Sequence, residues 1–291
     1  MALFFHTALH VLWHAFLDSV VILPFLILTY LCMELLEHKA GARVERAISR
    51  AGKAGPLLGG AVGLLPQCGF SAAAAGLYAG RVVTLGTVVA VFLSTSDEMI
   101  AVFLGKGLPL RVIFTTLAIK LLVAVLFGFL ADLLFSRKQV QLHIHAHCED
   151  AHCGCEKGLW RSVLHHTLQI FLFIYIINVA LGVLLELVDA ERLALFLGEV
   201  PVLSQAVAAL IGLVPNCAAS VAVATLYADG LLSAGAMLAG LLTGAGAGLL
   251  VLFRTNKKPL ENLAVVAALF AIGVLVGCVL DYTGLAEILR I

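Results

Sequence analysis

Gly63-Leu64-Leu65-Pro66-Gln67-Cys68 returns 149 residues later as Gly212-Leu213-Val214-Pro215-Asn216-Cys217. Both hexamers interrupt long apolar stretches, roughly 56–80 and 201–228. Pro removes a backbone donor and Gly permits a tight turn. About ten apolar or small residues flank each interruption. Ten helical residues rise about 15 Å, half of a roughly 30 Å hydrocarbon core. Each segment is therefore predicted as a broken span or as a re-entrant hairpin with its tip near the midplane. At the same offset Ser71 meets Ser220, Leu77-Tyr78 meets Leu226-Tyr227, and Gly86 meets Gly235. Upstream, with a slip of two or three residues, His14 and Asp18 fall on His165 and Gln169, and Glu34-Leu35-Leu36-Glu37 on Glu186-Leu187-Val188-Asp189. An ordered series of this length reads as an internal duplication.

The surrounding composition fixes the class. Of 291 residues, 62% are apolar and 12% charged, whereas soluble domains carry about 25% charged residues. That excludes a soluble enzyme and a disordered chain. Continuous rather than alternating apolar runs argue against a β-barrel. The fold class is all-α, a polytopic membrane protein, with candidate segments near 11–36, 56–80, 82–104, 109–135, 162–188, 201–228, 231–253 and 260–282. The first segment lacks the basic start and small-residue cleavage site of a signal peptide. A polar stretch divides the chain into a first transmembrane repeat (1–135), a linker (136–160) and a second repeat (161–291). Lys+Arg and Asp+Glu both number 18, so no nucleic-acid partner is expected. The expected partners are the lipid bilayer and a solute that crosses it, and a homo-oligomer stays open.

Basic residues arbitrate between hairpin and span. If both Pro-x-Cys segments are hairpins, Arg81, Arg137, Lys138, Lys157 and Arg161 join Arg254, Lys257 and Lys258 in the cytoplasm, while Lys106, Arg111 and Arg192 lie outside. This gives the stronger cytoplasmic excess. It also gives each half an odd number of crossings, so the reading is two inverted repeats, each with a broken or re-entrant Pro-x-Cys segment. Both termini are then outside and the linker is cytoplasmic.

Four groups of residues carry candidate chemistry. The first is the pair of tips, Pro66, Gln67, Cys68 and Ser71 with Pro215, Asn216, Cys217 and Ser220. Backbone groups freed by a break in lipid need partners, so such breaks line cavities or bind ligands; a simple kink with a small buried Cys is the alternative. The second is Ser94-Thr95-Ser96-Asp97-Glu98. Paired carboxylates in an apolar segment usually face a polar path, although Asp97 and Glu98 could instead mark an early helix end at the interface. The second half has Thr243-Gly244-Ala245-Gly246-Ala247 there, so Ser94, Ser96, Asp97 and Glu98 form an asymmetric candidate site for a cation or proton. Lys120, alone in its segment, either pairs with these acids or snorkels to an interface.

The third group, His6, His10, His14 and Asp18, recurs every four residues and forms one helical stripe. His and Asp ligate borderline divalent metals. The fourth group is the linker, where His143, His145, His147, Cys148, His152, Cys153 and Cys155 crowd into a short acidic tract. Such tracts read as metal binding, and the spacing suits loose capture rather than a zinc finger. Internal repeats with broken helices are the plan of secondary transporters. No nucleotide-binding motif and no Ser/His or paired-Asp protease motif is visible, so an enzyme is not expected.

Leu64-Leu65-Pro66-Gln67-Cys68-Gly69-Phe70-Ser71, Ser94-Thr95-Ser96-Asp97-Glu98, Val214-Pro215-Asn216-Cys217 and the His-rich middle together resemble a bacterial family of ten-helix heavy-metal exporters, often labelled manganese transporters. That family is distantly similar to arsenic permeases. The resemblance covers nearly the whole chain. It implies a multi-pass protein of the bacterial cytoplasmic (inner) membrane that exports a heavy-metal or manganese-like divalent ion, and the carboxylates Asp97 and Glu98 suit exchange of that ion for protons. It implies no cofactor beyond the transported ion. An arsenical or other thiophilic-solute permease, and an intramembrane redox or metal sensor using Cys68 and Cys217, are the alternatives.

Overall fold

A computed structural model describes residues 54–65, 68–95, 99–135 and 202–284, with isolated positions between 12 and 31, between 164 and 179, and at 286 and 289. These residues are helical, without strands. Among the described residues, ten continuous helices fall in two series of five. The first is α1 (Gly55–Gly63), α2 (Cys68–Ala79), α3 (Leu85–Ser94), α4 (Met99–Gly105) and α5 (Leu110–Phe135). The second is α6 (Leu203–Gly212), α7 (Cys217–Ala228), α8 (Ala234–Thr243), α9 (Ala247–Thr255) and α10 (Pro259–Tyr282).

Both Pro-x-Cys segments break where expected. α1 and α6 stop at Gly63 and Gly212, and α2 and α7 start at Cys68 and Cys217. The structure adds a break the sequence reading ran through as continuous span. The stretch 234–255 divides at Gly244-Ala245-Gly246, where Gly246 has φ +52°, a left-handed value that a side chain would strain. In the first half α3 ends at Ser94, with Thr95 leaving the helix at ψ 124°, and α4 begins at Met99.

Among the described residues, four passages are long and apolar enough to cross a membrane: Leu85–Gly105, Leu110–Phe135, Ala234–Thr255 and Pro259–Tyr282. With the apolar composition they make this a multi-pass membrane protein. Their burial differs. α8 and most of α9 are enclosed by protein, whereas α5 and α10 expose Leu122, Leu126, Leu133, Leu263 and Leu275. α5 and α10 are thus the outer, lipid-facing helices, and the broken passages are central.

The same hydrogen bonds hold each half, 149 residues apart. Asp132 accepts from the Gly86 N–H and the Thr84 hydroxyl, both at 2.8 Å, pinning the start of α3 to the end of α5. Asp281 accepts from the Gly235 N–H at 2.8 Å and the Ser233 hydroxyl at 2.6 Å, pinning α8 to α10. Thr84 and Ser233 also cap α3 and α8, accepting from the N–H groups of Thr87 and Ala236. The helices approach closely because they meet at glycine: a Cβ on Gly86 would lie 2.1 Å from the Gly128 carbonyl, and one on Gly235 2.2 Å from that of Gly277.

The α2–α3 and α7–α8 turns are also alike. The N–H groups of Arg81 and Val82 reach the carbonyls of Tyr78 and Leu77, and those of Gly230 and Leu231 reach Tyr227 and Leu226. This pattern closes a helix on a left-handed residue, here Gly230 at φ +75° and, against preference, Arg81 at φ +57°. Arg81 has a reason to be there: its guanidinium lies 3.0 Å from Glu261 at the start of α10 and stacks on Tyr78.

Packing within each half is α1 on α3 on α5, and α6 on α8 on α10. The remaining helices are exchanged: α2 packs on α9, and α4 on α7. The two arms of each Pro-x-Cys pair therefore touch each other little and serve different neighbours. Farther upstream, Phe16 meets the Phe171 and Tyr175 rings edge-on, joining the opening segments of the two halves.

Candidate functional site

The four helix interruptions converge. Ser94, fully buried, donates to the carbonyls of Ala90 and Val91 and lies against Gly63, where a Cβ would come within 2.0 Å of its Oγ. Ser94 thus abuts the last turn of α1, just before the first Pro-x-Cys. Thr243 repeats the arrangement: its hydroxyl donates to Ala209 of α6 at 2.8 Å, and a Cβ on Gly212 would lie 2.3 Å from it.

Across the halves, Ser71 of α2 is fully buried against Gly248 of α9, where a Cβ would sit 2.8 Å from the Ser71 Cβ and 2.7 Å from the Phe92 ring. The beginnings of α2 and α9 therefore meet, next to α3. Arg81, two residues past α2, meets Glu261 at the start of α10, just past α9, so α2 and α9 run the same way from the centre. α4 and α7 end together at the Lys106–Asp229 ion pair, 2.8 Å, with Phe103 packed on Tyr227.

Lys120 lies at this centre. It is midway along α5, fully buried, and its ammonium donates to the carbonyl of Thr95 and, at 2.7 Å, to that of Leu241. The lysine thereby links the end of α3 to the end of α8. Of the two options drawn from the sequence, snorkelling to an interface is not what it does.

The candidate residues fall as follows. Ser71 and Ser94 are buried at the convergence. Pro215 and Asn216 form the turn between α6 and α7, where the Asn216 N–H reaches the Val214 carbonyl at 2.7 Å, and Ser220 lies one turn into α7. Cys68 and Cys217 are the first residues of α2 and α7, and their side chains lie outside the described residues. So do Pro66, Gln67, Ser96, Asp97 and Glu98, although Thr95 and Met99 on either side are buried. His6, His10, His14 and Asp18, and the linker residues His143, His145, His147, Cys148, His152, Cys153 and Cys155, also lie outside the described residues. Among the described residues no three His, Cys, Asp or Glu side chains gather as a metal site.

Asp132 and Asp281 escaped the sequence reading, yet they hold the central passages in place. The signal was present, since Gly128 and Asp132 recur as Gly277 and Asp281 at the same offset of 149.

No curated protein and no solved structure matches the chain. A family model does, over residues 5–192: the ArsP_2 family, described as "Putative, 10TM heavy-metal exporter". The match takes in the whole first helical series, both of its breaks and the His-rich linker. Since it spans well over half of the sequence, the chain belongs to this family of ten-helix heavy-metal exporters.

Proposed function

We propose that the chain is a secondary-active transporter that moves a heavy-metal or manganese-like divalent ion out of the cytoplasm in exchange for protons. The observation that carries this reading is the meeting of four interrupted helices from two matching halves at a buried centre. Discontinuous helices facing one another across a repeat interface are how transporters expose backbone groups to a solute at mid-membrane. Asp97 and Glu98 fall between buried residues in one half only. In that position they supply the anionic partner a divalent ion needs in a low-dielectric site, and a carboxylate can also carry the returning proton. Cys68 and Cys217, at the starts of α2 and α7, add softer ligands, and the linker gathers ion at the cytoplasmic mouth.

The inverted, hairpin form of the repeat is part of this proposal. Two charged clusters support it. If each Pro-x-Cys segment crossed the membrane, Arg81 would lie on the opposite side from Lys258, and Lys106 opposite Asp229. Instead Arg81 and Lys258 share Glu261, each at 3.0 Å, and Lys106 binds Asp229. The hairpin reading puts each set on one side, with α3–α4 and α8–α9 crossing in opposite directions.

The reading is tested by intracellular metal content across a panel of metals, with and without the gene, and by Asp97→Asn and Glu98→Gln. Both substitutions should abolish export or remove its pH dependence, while Cys68→Ser should weaken zinc or cadmium more than manganese. Wild-type export over pH 6–8 by both acid-to-amide variants, inserted at normal levels, would make the acids interfacial and sink the site. An arsenical permease is the second reading. The inward-facing starts of α2, α7 and α9 favour negative charge, and arsenicals belong in the same panel.

A further inference from the structure

We infer that the α2–α3 turn is a strained latch: the Arg81–Glu261 ion pair holds Arg81 in a backbone conformation that arginine disfavours, and loss of the pair frees the far end of α2. The inference rests on the transporter reading only for what that movement would serve; the latch itself follows from the geometry.

The strain is local. Arg81 has φ +57°, a left-handed value at which the Cβ of an L-residue crowds the following carbonyl oxygen. The penalty lowers the population of such a turn by about five- to thirtyfold. Helices usually close on glycine for this reason. The matching turn of the second half does so, with Gly230 at φ +75°. Both turns carry the same closing bond, from the Val82 N–H to the Leu77 carbonyl at 2.9 Å and from the Leu231 N–H to the Leu226 carbonyl at 2.8 Å. The turn itself therefore has no need of a side chain at this position. A larger residue persists there when its surroundings over-determine it, and such outliers gather at switches.

Here the surroundings are ionic. Arg81 Nη2 lies 3.0 Å from Glu261 Oε2, and the guanidinium carbon is 5.2 Å from the centre of the Tyr78 ring. The Tyr78 hydroxyl donates to the same oxygen at 3.3 Å, and Lys258 Nζ donates to Oε1 at 3.0 Å. The pair belongs to one half only, since the positions matching Arg81 and Glu261 at the offset of 149 are Gly230 and Val112. The side chains of Arg81 and Glu261 are 30% and 37% exposed. So open an ion pair contributes modestly and is weakened by salt. Hold and strain are thus of similar size, which sets the turn close to release. α2 has Cys68 and Ser71 at its other end, so the latch positions a helix that reaches the candidate site.

The test is hydrogen exchange of the Val82 amide, corrected for the neighbouring side chain, in purified full-length protein in lipid nanodiscs. Raising salt from ~0.01 M to ~1 M shortens the Debye length from about 30 Å to about 3 Å. The native turn should then open about fivefold more often. Arg81→Ala keeps the strain and loses the ion pair, so it should exchange about fivefold faster than the native chain at low salt and ignore salt. Arg81→Gly loses both, and it should exchange no faster than the native chain and also ignore salt. Glu261→Gln should behave as Arg81→Ala does, yet change nothing when added to Arg81→Gly. A native Val82 amide indifferent to salt, or equal exchange in the Ala and Gly variants, would overturn the inference. Should the variants fail to accumulate, the salt series on the native chain decides alone. Exchange does not read export. A native chain that exports no metal would therefore sink the transporter reading alone, and a salt-blind turn would sink this inference alone.

Discussion

Replacing Gly86 by alanine should destabilise the protein, although alanine is the better helix former. In a helix whose glycine has free space, Gly→Ala gains about 1 kcal/mol. Gly86 has none: the new methyl would stand 2.1 Å from the Gly128 carbonyl and 2.5 Å from the Asp132 carboxyl carbon. Both contacts are under 3.0 Å, and one is backbone, so α3 and α5 must separate. Overpacking of this kind costs about 1–3 kcal/mol. The separation also stretches the bonds from Gly86 and Thr84 to Asp132, and a polar contact in a membrane bundle contributes about 0.6–2 kcal/mol. Taking about 2 for overpacking and about 1 for the weakened bonds, less about 1 for propensity, the net loss is about 2 kcal/mol, roughly thirtyfold in the unfolding constant. Gly105, the last residue of α4, has nothing within 4 Å of a built Cβ and serves as the control. Reversible unfolding in SDS–lipid mixed micelles measures both. If Gly86→Ala proves as stable as Gly105→Ala, α3 does not pack on α5 through this glycine and the account of the clamp is wrong.

Three further outcomes follow from other parts of the molecule. Gly235→Ala, which would press on the Gly277 carbonyl at 2.2 Å, should cost about as much as Gly86→Ala, and the two losses should add to within about 0.5 kcal/mol in the double variant if the clamps are independent. Cys148, Cys153 and Cys155 should resist a membrane-impermeant thiol reagent in intact cells and react after permeabilisation; ready labelling in intact cells would overturn the inverted assignment. Deleting 143–155 should lower apparent metal affinity in transport assays while leaving measurable maximal transport, and complete loss in a stably inserted deletion would put the tract in the path itself.

Much of this architecture was legible because it rests on local chemistry. Pro66 and Pro215 remove donors inside apolar runs, and α1–α2 and α6–α7 break beside them. The outer spans, predicted at 109–135 and 260–282, are observed at Leu110–Phe135 and Pro259–Tyr282, since uninterrupted apolar length is the signal. The break at Gly244-Ala245-Gly246 was not read, because small apolar residues keep hydropathy high whether or not the helix continues. Only the left-handed Gly246 reveals it. Nor could the sequence show the carbonyls that Lys120 meets. Two of its acceptors are backbone carbonyls 25 and 121 residues away, and a carbonyl has no residue type to recognise. The exchange of α2 with α9 and of α4 with α7 is likewise a matter of long-range packing, to which periodicity is blind.

That exchange decides how the molecule can bend. If the two sequence halves were separate blocks, a single seam would run between them and rocking would open it. The packing draws other boundaries: two three-helix scaffolds, α1–α3–α5 and α6–α8–α10, and two mixed arms, α2–α9 and α4–α7. Each arm borrows one helix from either half, so any displacement of one half is passed to the other through an arm. Among the described residues, the joints between scaffold and arm lie at 80–84, 106–109, 213–216, 229–233, 244–246 and 256–258. Joints recur at matching places in both halves, and the two mixed arms couple them crosswise.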